Sequence, residues 1–261
     1  MAFFSRPGAT IFYELLGDPT HPCVTLVNGH TRSSSDFRML ARKLGENGFS
    51  VLLLDNRAAG KSEVTGAFAI SDMWDDIVAL WDELAIERSH LLGISMGGFI
   101  SQGLTINHPT RVGRLILVST TSEERYIHST GPGWSVESGK TEEKMKAYFG
   151  PGFVDRNPVL FETMVAQIRQ AAASGRFIER ANYQRDAMRG AMLTNQLSKI
   201  KAATLIIHGD SDQVIPEAAA KALHLEIRGS KLEILADVGH LILAEAPKRL
   251  YQLVTDFLIE N

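Results

Sequence analysis

A serine, a pair of aspartates and a histidine stand in this 261-residue chain where nucleophilic chemistry on a carbonyl would need them. Ser95 lies within Gly93-Ile94-Ser95-Met96-Gly97, a G-x-S-x-G pattern that follows the apolar pair Leu91-Leu92 and opens into a helix-like segment. At a strand-to-helix junction the two glycines are expected to permit a tight turn that lifts the serine hydroxyl above a sheet. The helix that follows offers unpaired backbone N–H groups and the positive end of its dipole to whatever the serine attacks. A serine hydroxyl is a poor nucleophile at neutral pH and needs a base within hydrogen-bond reach. His240, in the turn Val238-Gly239-His240-Leu241, is the expected base. An aspartate would hold its imidazole in the right tautomer and stabilise the charged form.

Two aspartates compete for that last role in His208-Gly209-Asp210-Ser211-Asp212, just past an apolar run. Either could instead cap the helix expected near Pro216, as aspartates often do. Asp212 is the expected acid, with Asp210, or Glu123 or Glu124 after the sixth strand, as alternatives. The order Ser95, Asp212, His240 is one known order for such a triad. The other histidines, at 21, 30, 90, 108, 128, 208 and 224, mostly sit at element ends and need no catalytic role.

Alternating elements must position these groups. Thr10–Leu16, Cys23–Asn28, Ser50–Asp55, His90–Ile94, Arg114–Ser119, Ala203–His208 and Lys231–Leu235 read as strands, several of them near-continuous apolar runs. Helical spacing of apolar residues marks Ser35–Asn47, Ser71–Leu84, Gly97–His108, Pro216–His224 and Pro247–Glu260. Strand–helix alternation implies parallel neighbours joined by crossover helices. From about Thr120 to Lys201 the strand signals vanish. Gly131-Pro132-Gly133 and Gly150-Pro151-Gly152 punctuate that stretch as loops, between helices expected at Thr141–Phe149, Pro158–Ala173 and Phe177–Met192. The expected division is a core domain of residues 1–120 and 202–261 and a helical cap, or lid, of residues 121–201. Insertions after strand C-termini lie where open α/β sheets bind ligands.

Composition excludes several classes. A net charge of −3 argues against a nucleic-acid binder, and 44% hydrophobic with 22% charged residues suits a globular protein with a sizeable core. The single cysteine, Cys23, leads into an apolar strand and is expected to be a buried structural thiol. There is no Cys/His cluster at zinc spacing, and neither a metal nor an organic cofactor is expected. No run of 18 apolar residues suggests a membrane span, and the N-terminal residues lack the pattern of a signal peptide, so a cytoplasmic location is the expectation.

Together these residues resemble the α/β-hydrolase superfamily over essentially the whole chain. Val27-Asn28-Gly29-His30, Asp55-Asn56-Arg57-Ala58-Ala59-Gly60-Lys61-Ser62, Gly93–Gly98 and the loops holding Asp212 and His240 carry the resemblance. It is most similar to the 3-oxoadipate enol-lactonase and small-carboxylesterase branch. The resemblance implies an eight-stranded, mostly parallel sheet with a helical cap after strand six. It also implies oxyanion donors in the backbone N–H groups of His30 and Met96. The implied reaction is ester or lactone hydrolysis through an acyl-serine, with water as acceptor and a small molecule as substrate.

Two departures from the family pattern stand out: Asn28-Gly29 in place of His-Gly, and Ala58 where glycine is usual. His30 places an imidazole near the oxyanion region, while Arg57 is expected to brace loops. Substrate contacts are expected from Asn28, Gly29, His30 and Leu241, and from the cap residues Phe149, Phe153, Phe161 and Met164, although helical spacing favours a place for these cap residues in the cap's own core. Alternatives on the same fold are a C–C bond hydrolase of the meta-cleavage type, which Leu241 after the histidine disfavours, a cofactor-free perhydrolase or haloperoxidase, and a ligand receptor without turnover. Monomer and homodimer are both open.

Overall fold

Short apolar runs that are buried at every position form the centre of the sheet. Strands β1 (Ala2–Arg6), β2 (Ala9–Leu16), β3 (Cys23–Val27), β4 (Ser50–Leu54), β5 (Glu63–Val64), β6 (Ser89–Ile94), β7 (Val112–Val118), β8 (Ala203–Gly209) and β9 (Lys231–Leu235) are seen in a computed structural model that describes residues 2–128 and 140–260. The Gly131-Pro132-Gly133 loop lies outside the described residues. No side chain of β3 or β4 reaches solvent, as expected for strands covered on both faces. Eight strands form one path in the order β1-β2-β4-β3-β6-β7-β8-β9, with the two-residue β5 hung on β2. From β4 through β9 every pairing is parallel, and β1 and β2 add antiparallel strands at one edge.

The helices are α1 (Arg38–Glu46), α2 (Ile70–Glu83), α3 (Met96–Asn107), α4 (Thr141–Lys146), α5 (Phe153–Arg156), α6 (Pro158–Ala172), α7 (Gly175–Met188), α8 (Glu217–Glu226), α9 (Ile242–Glu245) and α10 (Pro247–Ile259). On one face of the sheet α2, α3 and α8 bury Ile77, Trp81, Phe99, Leu104 and Leu223. On the other, α1 and α10 bury Leu40, Leu44, Leu250, Val254 and Phe257. Arg57, in the loop after β4, is tied to helix α2 by a buried two-point ion pair with Asp76 at 2.6 and 2.8 Å. Cys23 is buried, and that burial pushes its thiol above the usual range.

Helices α4 to α7 are inserted between β7 and β8, and their hydrophobic cluster is shared with Val214, Ile215 and Ala219 after β8. Phe149 and Phe153 stack with ring centroids 5.0 Å apart, and Phe161 meets Phe149 edge-on at 6.0 Å. No helix among the described residues is long and apolar enough to cross a membrane.

Candidate active site

Ser95 sits between β6 and α3 with φ 55° and ψ −121°, a conformation that side chains rarely adopt. Its N–H donates to the Val118 carbonyl (2.9 Å), and the Thr120 hydroxyl donates to its carbonyl (2.6 Å). Neither Gly93 nor Gly97 has positive φ, so the strain of the turn falls on the serine itself. The glycines make room instead. A β-carbon at Gly93 would strike the Gly97 carbonyl, and one at Gly97 would land on the Val27 carbonyl. The elbow therefore exists because two backbones approach where no side chain fits.

His240 and Asp212 come to the serine from the loops after β9 and β8. The Asp212 Oδ2 lies 2.8 Å from His240 Nδ1, and His240 Nε2 lies 3.1 Å from Ser95 Oγ. An ionised carboxylate only accepts, so Nδ1 carries the ring proton and Nε2 turns its lone pair to the serine hydroxyl. Asp212 Oδ1 accepts the N–H groups of Val214 (2.8 Å) and Ile215 (2.9 Å), which fixes the carboxylate. Burial would raise the Asp212 carboxyl, but His240, His208 and the Ile215 N–H outweigh it and hold it below the usual range. His208, fully buried, donates from Nε2 to the Ile215 carbonyl (2.9 Å) with that nitrogen 3.5 Å from Asp212 Oδ2.

The turn carrying His240 is clamped from two sides. The His240 N–H donates to the Tyr148 carbonyl (2.8 Å), and the Glu245 carboxylate accepts Gly239 N–H (3.0 Å) and Gly150 N–H (2.7 Å). The Tyr148 ring meets the His240 ring edge-on, centroids 5.6 Å apart. The alternative acids are engaged elsewhere. Asp210 accepts Ser211 Oγ and the Asp237 N–H, Glu123 pairs with Thr194 and Arg125, and Glu124 accepts the Gly190 N–H.

Residues 28–32 form the opposite wall. Asn28 organises this loop, donating to the Ser33 carbonyl (2.7 Å) and Asp36 (2.9 Å) while accepting the Gly29 N–H (2.8 Å). A β-carbon at Gly29 would come within 3.2 Å of Ser95 Cβ, so the loop lies directly against the serine. Among the described residues, neither the His30 nor the Met96 backbone N–H donates within the protein. The His30 imidazole donates from Nε2 to the Ala181 carbonyl on α7 (2.8 Å). Burial holds that ring below the usual histidine range, hence neutral. Gln184, also on α7 and fully buried, accepts the Thr31 N–H (2.7 Å) and donates to the Arg57 carbonyl (2.6 Å). Thr31 itself has φ 63°.

Above Ser95 lies a cavity of about 470 Å³, lined mainly by apolar side chains. Asn28, Gly29, His30, Met96, Met164 and Leu241 border it, as the sequence suggested. Phe149, Phe153 and Phe161 do not, because they pack on one another inside the insertion. The residues that take their place, Met145, Tyr148, Leu160 and Met188, left no sequence signal beyond an apolar helical face. Gln184 was missed because its partners are remote in sequence, and Glu245 and His208 because their contacts, though partly local, appear only once the loops are folded.

A mostly parallel sheet covered by helices, with an elbow serine, a histidine and an aspartate at its strand ends, is the architecture of an α/β hydrolase. The chain belongs to the family described as Serine aminopeptidase, S33, which matches residues 18–247. It is 28% identical over 255 residues to a 2-hydroxy-6-oxononadienedioate/2-hydroxy-6-oxononatrienedioate hydrolase of Escherichia coli O139:H28, covering 93% of this chain and 88% of that one. It is 29% identical over 244 residues to 3-oxoadipate enol-lactonase 2 of Acinetobacter baylyi, covering 90% and 88%. A crystal structure of MGS-M2, an α/β hydrolase from a Medee basin deep-sea metagenome library, matches with a TM-score of 0.92 over 100% of this chain and 98% of that one. At 20% identity that likeness bears on the fold alone.

Proposed function

We propose that this hydrolase cleaves carboxylic esters or lactones through an acyl-serine intermediate on Ser95. The observation that carries the reading is the unbroken relay Asp212 Oδ2–His240–Ser95 Oγ, with contacts of 2.8 and 3.1 Å. His240 Nε2 takes the hydroxyl proton as Ser95 Oγ attacks the carbonyl carbon, and the C=O π electrons move to oxygen. The His30 and Met96 N–H groups receive that oxyanion, a contribution of several kcal/mol in comparable sites. The imidazolium, stabilised by Asp212, then protonates the leaving alkoxide as the tetrahedral intermediate collapses to the acyl-serine. Water attacks the acyl-serine by the same route, with His240 first taking its proton and then returning one to Ser95. On this reading α4 to α7 serve as a lid, excluding bulk water and completing the cavity.

Turnover of a p-nitrophenyl ester series by wild type and by Ser95→Ala tests the proposal. Robust hydrolysis that disappears in the variant, with a trapped acyl adduct on Ser95 seen by mass spectrometry, is expected. A wild type that binds ligands but shows no turnover on esters or lactones would refute it and favour a receptor. The likeness to the E. coli enzyme supports a second reading, hydrolysis of a 2-hydroxy-6-oxo-dienoate, read directly on that compound.

A further inference from the structure

The cavity over Ser95 narrows the substrate by its charge balance and its polar inventory. Its 470 Å³ would hold about fifteen waters at about 30 Å³ each, room for a small organic ligand. Four methionines reach it from different helices: Met96 on α3, Met145 on α4, Met164 on α6 and Met188 on α7. Flexible, polarisable thioether chains conform to varied apolar shapes. The neighbours of the reacting groups are hydrocarbon too, with Ile94 before Ser95 and Leu241 after His240.

Among the described residues, the charged side chains at its border, Arg32, Arg185, Asp36 and Glu124, cancel in formal charge. Arg32 is held by Asp36 through two contacts of 2.7 and 2.8 Å. Arg185 lies 3.6 Å from the Asp186 carboxylate, and Glu124 accepts the Gly190 N–H. A carboxylate entering this space would lose its hydration without a net opposite charge to offset the loss.

Tyr148 supplies the contrasting feature. It is 6% exposed, borders the cavity and lies edge-on to the His240 ring. No hydrogen bond among the described residues engages its hydroxyl, and that oxygen is not one of the enclosed unpaired polar atoms, which leaves it open to a ligand or water. Phenylalanine would fill the same space without leaving a polar group unpaired. Burial, and then the charge of Asp212, push the phenol well above its usual range, so it remains a donor.

We propose, resting on the ester or lactone reading above, that the substrate is uncharged and largely apolar and carries a hydrogen-bond acceptor near the scissile carbonyl that the Tyr148 hydroxyl receives. This departs from the dicarboxylate substrates in the names of the relatives. Three p-nitrophenyl esters of matched length test it: a plain alkanoate, an oxo-alkanoate and one ending in a carboxylate. In wild type, kcat/KM for both uncharged esters should exceed that for the carboxylate by more than about tenfold, at low and high salt. The oxo-ester should lead the plain ester by about fivefold, and Tyr148→Phe should bring that ratio close to one. Being a ratio, it does not depend on how much of the variant folds.

Preference for the carboxylated ester, or an oxo-ester advantage that survives in Tyr148→Phe, would overturn the inference. Labelling of Ser95 by a fluorophosphonate separates the two levels. A labelled enzyme with the wrong substrate preference overturns this inference alone. An unlabelled, inactive wild type overturns the hydrolytic reading and this inference with it.

Discussion

Gln184→Met should slow the chemical step although residue 184 does not border the cavity. The methionine occupies similar volume but can neither accept the Thr31 N–H (2.7 Å) nor donate to the Arg57 carbonyl (2.6 Å). Each buried group left without a partner costs about 1–3 kcal/mol, so a rigid structure would lose about 2–6 kcal/mol, and less where α7 shifts and water enters. The catalytic effect runs through the residue before Thr31, His30, whose N–H is the proposed oxyanion donor. Outright loss of one such donor costs about 100- to 1000-fold in kcat. A loop displaced rather than deleted should forfeit part of that, about 10- to 100-fold in kcat, with KM held within about threefold. Steady-state kinetics normalised to active sites by fluorophosphonate titration removes any effect of misfolded protein. A trifluoromethyl ketone, which forms an oxyanion on the serine, should bind more weakly by a similar factor, while the product acid binds as before. A lower melting temperature with unchanged kcat per active site would refute the coupling and leave Gln184 as a structural residue only.

Asp212→Asn should lower kcat by about 10⁴-fold, through loss of the charge that orients and stabilises the His240 ring; activity within tenfold of wild type would remove Asp212 from that role. His30→Ala should cut the tie to the Ala181 carbonyl and lower kcat more than it alters KM, and unchanged turnover and affinity would show that the imidazole is dispensable. Gly97→Ala should destabilise by about 3 kcal/mol or more, because the new methyl meets the Val27 backbone rather than a movable side chain; a melting temperature equal to wild type would contradict that packing. His90 should make the fold acid-sensitive. Burial, then Arg114 and Arg88, lower its pKa to about 4, while the unfolded chain titrates near 6.5. Between those values the unfolded state binds more protons, so stability falls as pH drops through that window. His90→Gln should flatten the change in urea midpoint between pH 6.5 and 4.5, and an unchanged slope would assign the sensitivity to other groups.

What could be read from the sequence follows from where each signal is local. β3 and β4 were readable because burial on both faces demands an uninterrupted apolar run. β1 was not, since it is an edge strand whose burial alternates while its residue types do not, leaving Phe3 60% exposed beside the half-buried Phe4. Ser95, Asp212 and His240 were readable because each follows a strand end with glycine close by and in a recognisable chain order. Phe149, Phe153 and Phe161, open to either substrate contact or the cap's own packing, fall to packing for a geometric reason. Helical periodicity gives an apolar face but not which apolar surface that face meets, and here it met the other rings of the insertion. Gln184 and Tyr148 were out of reach because their significance lies in contacts over long sequence separations, or in the absence of one.

Strain is distributed across the site in a way that bears on the lid. Ser95 and Thr31, the latter in the loop that lies against the serine, are both at positive φ. Such conformations persist only where the surroundings over-determine them. For Ser95 the restraints come from the sheet, through the Val118 carbonyl and the Thr120 hydroxyl. For Thr31 the N–H is held by Gln184, and its neighbour His30 by the Ala181 carbonyl, both on α7. The nucleophile is therefore set by the core, whereas one proposed oxyanion donor is set by the insertion. An insertion that merely covered the cavity would leave the chemical step intact when displaced. One that holds Thr31 in a strained conformation cannot move without loosening the His30 N–H, so closure and oxyanion stabilisation should rise and fall together.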